Sequence, residues 1–187
     1  MELILASQSP RRRELLANAG IPFRVRSRPV AEVRAAGESP ENYVRRLARE
    51  KAEAAWEGND EIVLGADTVV VLDGHVLEKP ADAEDARSML GRLSGRTHTV
   101  ITGICLRHPS GAIVDHESTF VSFVPVSAPE IDAYIASGEP MDKAGAYAIQ
   151  GLASKFVERV EGCYFNVIGL PLARTYRHWK VLSAKNR

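Results

Sequence analysis

This sequence predicts an α/β fold, and three features of it carry that expectation. Leu3-Ile4-Leu5 is an apolar run that passes through a tight loop into a helix. Helical stripes preceded by cap residues at Ser9, Ser39, Asp82 and Ser127 alternate with β-branched runs. Two segments, one turning at Asp73-Gly74 and one at Pro109-Ser110-Gly111, read as antiparallel hairpins.

Taken in order, Leu3-Ile4-Leu5 suits a buried strand, Ser9 is placed to cap a helix, and Pro10 fits its first position. Leu15, Leu16 and Ala19 give that helix an inward face before Gly20. Phe23-Arg24-Val25-Arg26 alternates as a half-buried strand does, and residues 28–38 form a polar loop. Ser39, Pro40 and Glu41 open a second helix, in which Tyr43, Val44, Leu47, Ala48 and Ala55 recur at helical spacing. Ile62 to Leu72 reads as a strand interrupted by Gly65 and Asp67, and His75 to Lys79 returns antiparallel until Pro80. Asp82 and Asp85 start a third helix with Ala86, Met89, Leu90 and Leu93 on its face, ended by Gly95. Thr97–Leu106 and Ala112–Val126 are the second hairpin. Ser127, Pro129 and Glu130 open a short helix that turns Ile131, Tyr134 and Ile135 inward and closes at Gly138. Glu139 to Gly151 has no clean period and mixes charge with small residues, as binding loops do. A last strand near Phe156–Val160 and a helix from Pro171 complete the chain.

Composition narrows the function. The 187 residues fit a single domain over 1–187, and 45% hydrophobic with 26% charged residues is the balance of a folded globular protein. Lys+Arg and Asp+Glu both number 24, so no global basic field exists to hold nucleic acid, and an anion site must be local. That favours a small substrate. No apolar run approaches the roughly 18 residues of a membrane span, no signal peptide is apparent, and a cytoplasmic location is expected. Cys105 and Cys163 show no CxxC pairing and the five histidines no ligand spacing, so neither a disulfide framework nor a zinc site is expected.

The residues that fit their local pattern poorly point to chemistry. Ser7-Gln8-Ser9-Pro10-Arg11-Arg12-Arg13-Glu14 puts three cations into a first helical turn. Free amides and the helix dipole are already positive there, so each arginine costs about 0.3–1 kcal/mol unless an anion neutralises it. A phosphate would do so; solvated arginines on a capped helix are the plain alternative. Lys51 falls on the apolar stripe of the second helix, where it either snorkels from the edge or points toward an anion. Asp67 breaks a core strand, and Lys79 follows the hairpin after it. A metal-bound polyphosphate satisfies all of these groups: cations take phosphate oxygens, Glu32 and Asp67 take Mg2+ or Mn2+, and a carboxylate aligns or deprotonates water.

Leu5-Ala6-Ser7-x-Ser9-Pro10-Arg11-Arg12, Leu47-Ala48-x-x-Lys51-Ala52, Gly65-Ala66-Asp67-Thr68 and Glu78-Lys79-Pro80 together resemble the Maf nucleotide pyrophosphatases. Leu93-Ser94-Gly95-Arg96-Thr97-His98 and Gly162-x-Tyr164-x-x-Val167-x-Gly169-Leu170-Pro171 extend the likeness from Leu3 to about Tyr176. The resemblance implies a mixed sheet with flanking helices, related to the inosine triphosphatases, in two lobes around a central cleft. It also implies cleavage of a nucleoside triphosphate between its α and β phosphates, and a homodimer. By the same resemblance Asp67 is the general base, Ser9, Arg12, Lys51 and Lys79 contact phosphate, and Glu32 and Asp67 hold the metal. Glu139–Tyr147 followed by Ile149-Gln150-Gly151 is similar to the subfamily acting on dTTP and UTP, with Arg12, Thr68 and Gln150 at positions tied to base choice. A glutamine amide both donates and accepts, which suits the imide edge of thymine or uracil. Three residues depart from the pattern: Ala148 for a glycine, Ala31 for an acid, and Gln8 for a smaller side chain. Two other functions compete, a non-catalytic nucleotide-binding regulator of septum formation and an inosine-triphosphatase-type purine pyrophosphatase. Replacing Asp67 separates the first from an enzyme, and a panel of nucleotides separates the second.

Overall fold

The computed structural model describes residues 1–58 and 60–184. In chain order the elements are β1 (Glu2–Leu5), α1 (Pro10–Asn18), β2 (Arg24–Val25), α2 (Pro40–Ala55), β3 (Glu61–Leu72), β4 (His75–Leu77) and α3 (Ala83–Leu93). There follow β5 (Thr97–His108), β6 (Gly111–Phe123), α4 (Ala128–Ala136), β7 (Val157–Glu161), α5 (Tyr164–Ile168) and α6 (Leu172–Ala184). The strands make a mixed sheet in the order β2-β1-β3-β5-β6-β7, with β4 paired to β3. The fold is therefore α/β with helices flanking a mixed sheet. Among the described residues no helix is long and apolar enough to cross a membrane.

Two compact units divide the chain. One comprises Met1–Asp67, Thr102–Glu117 and Gly169–Arg187, the other Thr68–Ile101 and Ser118–Ile168. In the first, β1 lies parallel to both neighbours, with Ile4 opposite Arg24 on β2 and Val63 on β3. Leu3, Ile4 and Leu5 are buried, as an unbroken apolar run in a parallel strand should be. Helix α2 is capped by Ser39, whose Oγ accepts from the Asn42 amide at 3.2 Å. Its small residues Ala48, Ala52 and Ala55 pack with Ile4, Ala6, Val63 and Cys105. Two glycines permit that close approach: a Cβ on Gly65 would stand 2.0 Å from the Ala48 carbonyl oxygen, and one on Gly103 2.3 Å from that of Val44. Backbone oxygens cannot swing aside, so the depth of α2 is set by the absence of two methyl groups.

In the second unit β4 returns along β3 with Val70 opposite Leu77, and β7 runs antiparallel to β6 with Phe120 opposite Glu161. Asp82 caps α3 by accepting from the Asp85 amide at 2.9 Å, and Glu130 closes the start of α4 by accepting from the Ser127 amide at 2.9 Å. The core is aromatic. His98, Phe123 and Tyr147 meet edge to face with ring centroids 4.9–5.3 Å apart, and Tyr134 meets Phe156 at 5.7 Å.

Several local expectations are corrected. Ser9 occupies the N-cap position of α1, but its hydroxyl makes no cap bond; Ser7 Oγ instead accepts from the Ser9 amide at 3.2 Å. β2 shrinks to Arg24–Val25, both exposed, at the edge of the sheet where it has a single neighbouring strand. β4 stops at Leu77, two residues short of Lys79. β6 stops at Phe123 and not at Val126, since Val124 turns its amide to Phe156 and its carbonyl to Gly95. Residues 139–156, expected as loop and strand start, hold three 3-10 helices, Glu139–Asp142, Ala144–Ala146 and Leu152–Phe156. Helix α5 has no counterpart in the sequence reading.

Candidate active site

The first unit gathers four of the predicted residues. Arg12, in the opening turn of α1, is buried, donating from Nε to the Gly169 carbonyl at 2.7 Å and from Nη1 to Ser7 Oγ at 3.1 Å. Its neighbour Arg13 points into solvent. Lys51 leaves the apolar stripe of α2 and turns inward, its Nζ 2.6 Å from Asp67 Oδ1 and 2.6 Å from Glu32 Oε1. With the Lys51 side chain 14% exposed, snorkelling is excluded. Asp67 itself, on β3, is 7% exposed.

Burial pushes the Asp67 carboxyl above the usual aspartate range, Lys51 and Arg12 act against that rise, and Glu32 adds to it. Burial likewise lowers the Arg12 guanidinium, opposed by Asp67 and Glu32 and assisted by Arg11. These four side chains are thus one electrostatic cluster. Ser9 lies beside it, half-buried, its amide bonded to the same Ser7 hydroxyl that holds Arg12.

Lys51 bridges two carboxylates from distant segments, which is the position a divalent cation would take between them. Carboxylate oxygens are the hard donors that Mg2+ and Mn2+ accept, and a magnesium ion carried by a polyphosphate needs only one or two of them from protein. Among the described residues no three His, Cys, Asp or Glu side chains converge on one point. The donor set therefore fits an ion that arrives with phosphate oxygens better than one held by protein alone.

The other predicted residues belong to the second unit. Thr68, half-buried, follows Asp67 along β3; Lys79 is exposed just beyond β4; Gln150 is exposed in the turn before the third 3-10 helix. Ala148 does not take a positive φ, so the missing glycine strains nothing there. The left-handed non-glycine residue of this loop is Ala146, at φ 59°, fully buried. Ser7 and the Gly169 carbonyl were missed as partners of Arg12. The Ser-x-Ser pattern held a signal for the first; a backbone oxygen 157 residues away held none.

The chain belongs to the Maf family: the family model described as Maf-like protein matches residues 2–182. It is 57% identical over 178 residues to a protein of Koribacter versatilis named dTTP/UTP pyrophosphatase, covering 95% of this chain and 92% of that one. A Symbiobacterium thermophilum protein of the same name is 53% identical over 93% of this chain and 90% of its own length. Among solved structures, the Staphylococcus aureus Ham1 protein matches with a TM-score of 0.46 and 16% identity, over 66% of this chain and 72% of that chain.

Proposed function

We propose that this protein is a dTTP/UTP pyrophosphatase, hydrolysing the α–β phosphoanhydride bond of its substrate to give the nucleoside monophosphate and pyrophosphate. The observation that carries the reaction is the cluster in which Lys51 Nζ touches both Asp67 and Glu32 at 2.6 Å beside the buried Arg12. The base preference draws on two relatives named dTTP/UTP pyrophosphatase, each matched over nine-tenths or more of both chains.

Asp67 takes the proton of the water that attacks the α phosphorus, and a buried carboxylate with a raised pKa is the stronger base for it. Arg12, Lys51 and Lys79 bear the negative charge that passes to the leaving pyrophosphate, with Ser9 bonding a phosphate oxygen. Lys51 has a second duty in the free protein, where it keeps two carboxylates together that would otherwise repel. Glu32 and Asp67 would hold Mg2+ or Mn2+, which when bound supplies charge neutralisation at the phosphates. Thr68 and Gln150 address the base, and Gln150 matches the imide edge of thymine and uracil. The family match from residue 2 to 182 supports one domain. Free nucleotide as substrate favours a cytoplasmic location, and the exposed Tyr176 and Val181 on α6 favour a homodimer.

Pyrophosphate release from dTTP, UTP, ITP and 7-methyl-GTP in the presence of Mg2+ tests this directly, with dTTP and UTP expected to exceed the purines. Equal rates on ITP would transfer the protein to the purine class. Asp67→Asn should lower kcat by about 10²–10⁴ while nucleotide still binds, and retained turnover would end the assignment of Asp67 as base.

A further inference from the structure

We propose that Tyr134 and Glu139 are a positioning pair that fixes where Gln150 presents its amide, and with it the preference for thymine and uracil over cytosine; this rests on Gln150 being the base contact. Tyr134, on α4, is 3% exposed. Its Oη donates to Glu139 Oε1 at 2.8 Å and accepts from the Ala148 amide at 3.2 Å. The second oxygen, Glu139 Oε2, accepts from the Leu152 amide at 3.1 Å.

The backbone is therefore held two residues before Gln150 and two residues after it, and both bonds lead to one carboxylate. Between them, Gly151 lies over that carboxylate so closely that a Cβ would come within 2.3 Å of Oε2 and 2.4 Å of Oε1. Glu139 is itself anchored: its carbonyl accepts from Lys143 Nζ at 2.6 Å and its amide donates to Ser137 Oγ at 3.2 Å. Burial and the Glu139 acceptor both push the Tyr134 hydroxyl upward, so it stays a protonated donor throughout the working pH range. Tyr134 and Glu139 act through the backbone that they hold. Their effect reaches the substrate through the angle and reach of an exposed glutamine, whose amide discriminates imide from amine only when held in register.

The test compares kcat and KM for dTTP, UTP and CTP in wild type, Gln150→Ala, Tyr134→Phe, Glu139→Gln and Leu152→Pro. Leu152 is exposed at the first position of a 3-10 helix, so proline there removes the amide that donates to Glu139 and sets its ring against that carboxylate, and circular dichroism checks that the variant is folded. Tyr134→Phe should raise KM for dTTP and UTP and cut their advantage over CTP about tenfold, with kcat changed less than about threefold; a tenfold change is the loss of one well-placed hydrogen bond. Leu152→Pro and Glu139→Gln should move the same ratio in the same direction by a smaller factor. If Gln150→Ala alters the ratio while Leu152→Pro and the folded members of the other two leave it unchanged, positioning by this pair is overturned and the base contact stands. An unchanged ratio in Gln150→Ala removes the base contact and the inference with it. A fall in kcat common to all three nucleotides, without change in the ratio, also overturns it.

Discussion

At the scale of single residues, Lys51 shows how a side chain that violates its local pattern reports on chemistry. On an amphipathic helix it had two readings, and periodicity weighs them by the position of Cα alone. Two carboxylates within 2.6 Å decided between them, and both come from segments the helix cannot see in sequence, residue 32 in a loop and residue 67 on a strand. Replacing Lys51 by Met should destabilise the protein by about 3 kcal/mol in urea unfolding, because the buried Asp67 carboxylate then loses the ammonium that touches it. The same variant should lose about a hundredfold in kcat on dTTP. Full activity would mean that Lys51 serves only the free protein. Arg12 teaches a similar lesson. The first-turn arginines were visible as an anomaly in sequence, yet which of them would be enclosed was not, and it is the one whose fork reaches Ser7 and Gly169.

At the scale of elements, the caps, stripes and hairpins were legible because each is a local agreement between spacing and backbone period. Helices α2 and α3 begin within a residue of their expected caps, and both long hairpins form where their turn residues stand. Helix α2 matters most, since it carries Lys51 against the sheet. Gly65→Ala should cost about 3 kcal/mol and remove most activity, because the new methyl meets the Ala48 carbonyl at 2.0 Å and must push α2 outward. Gly91→Ala is the matching control. Gly91 lies on α3 with nothing within 4 Å of the added Cβ, and alanine there should stabilise by about 0.5–1 kcal/mol when both variants are compared with wild type by urea unfolding. The segment from Glu139 to Phe156 was opaque for the opposite reason. Its turns are fixed by Tyr134, Glu139 and the aromatic core, not by any period of its own.

At the scale of the whole molecule, one buried ring makes stability sensitive to mild acid. His98, 2% exposed, donates to or accepts from Tyr147 Oη at 2.8 Å, and burial lowers its pKa from 6.5 to about 4. Between those values the unfolded chain binds a proton that the folded protein does not, so the contribution of His98 to stability falls as pH drops through 6.5 and levels off below about 4. The loss approaches roughly 3 kcal/mol at about 1.4 kcal/mol per pH unit. His98→Phe should flatten urea-unfolding stability over that window; an unchanged slope would show that the ring is protonated in the fold. Charge balance and the absence of a basic field pointed to a small substrate from composition alone, and the motifs pointed to the family, since both depend only on which residues are present and how far apart they stand in the chain. What only the tertiary structure decided is which groups meet: that Lys51 bridges Asp67 and Glu32, that Ser7 bonds Arg12, and that Tyr134 and Glu139 together hold the backbone on the two sides of Gln150. Hydrogen bonds and desolvation act over a few ångströms of space, and separation along the sequence places no bound on them.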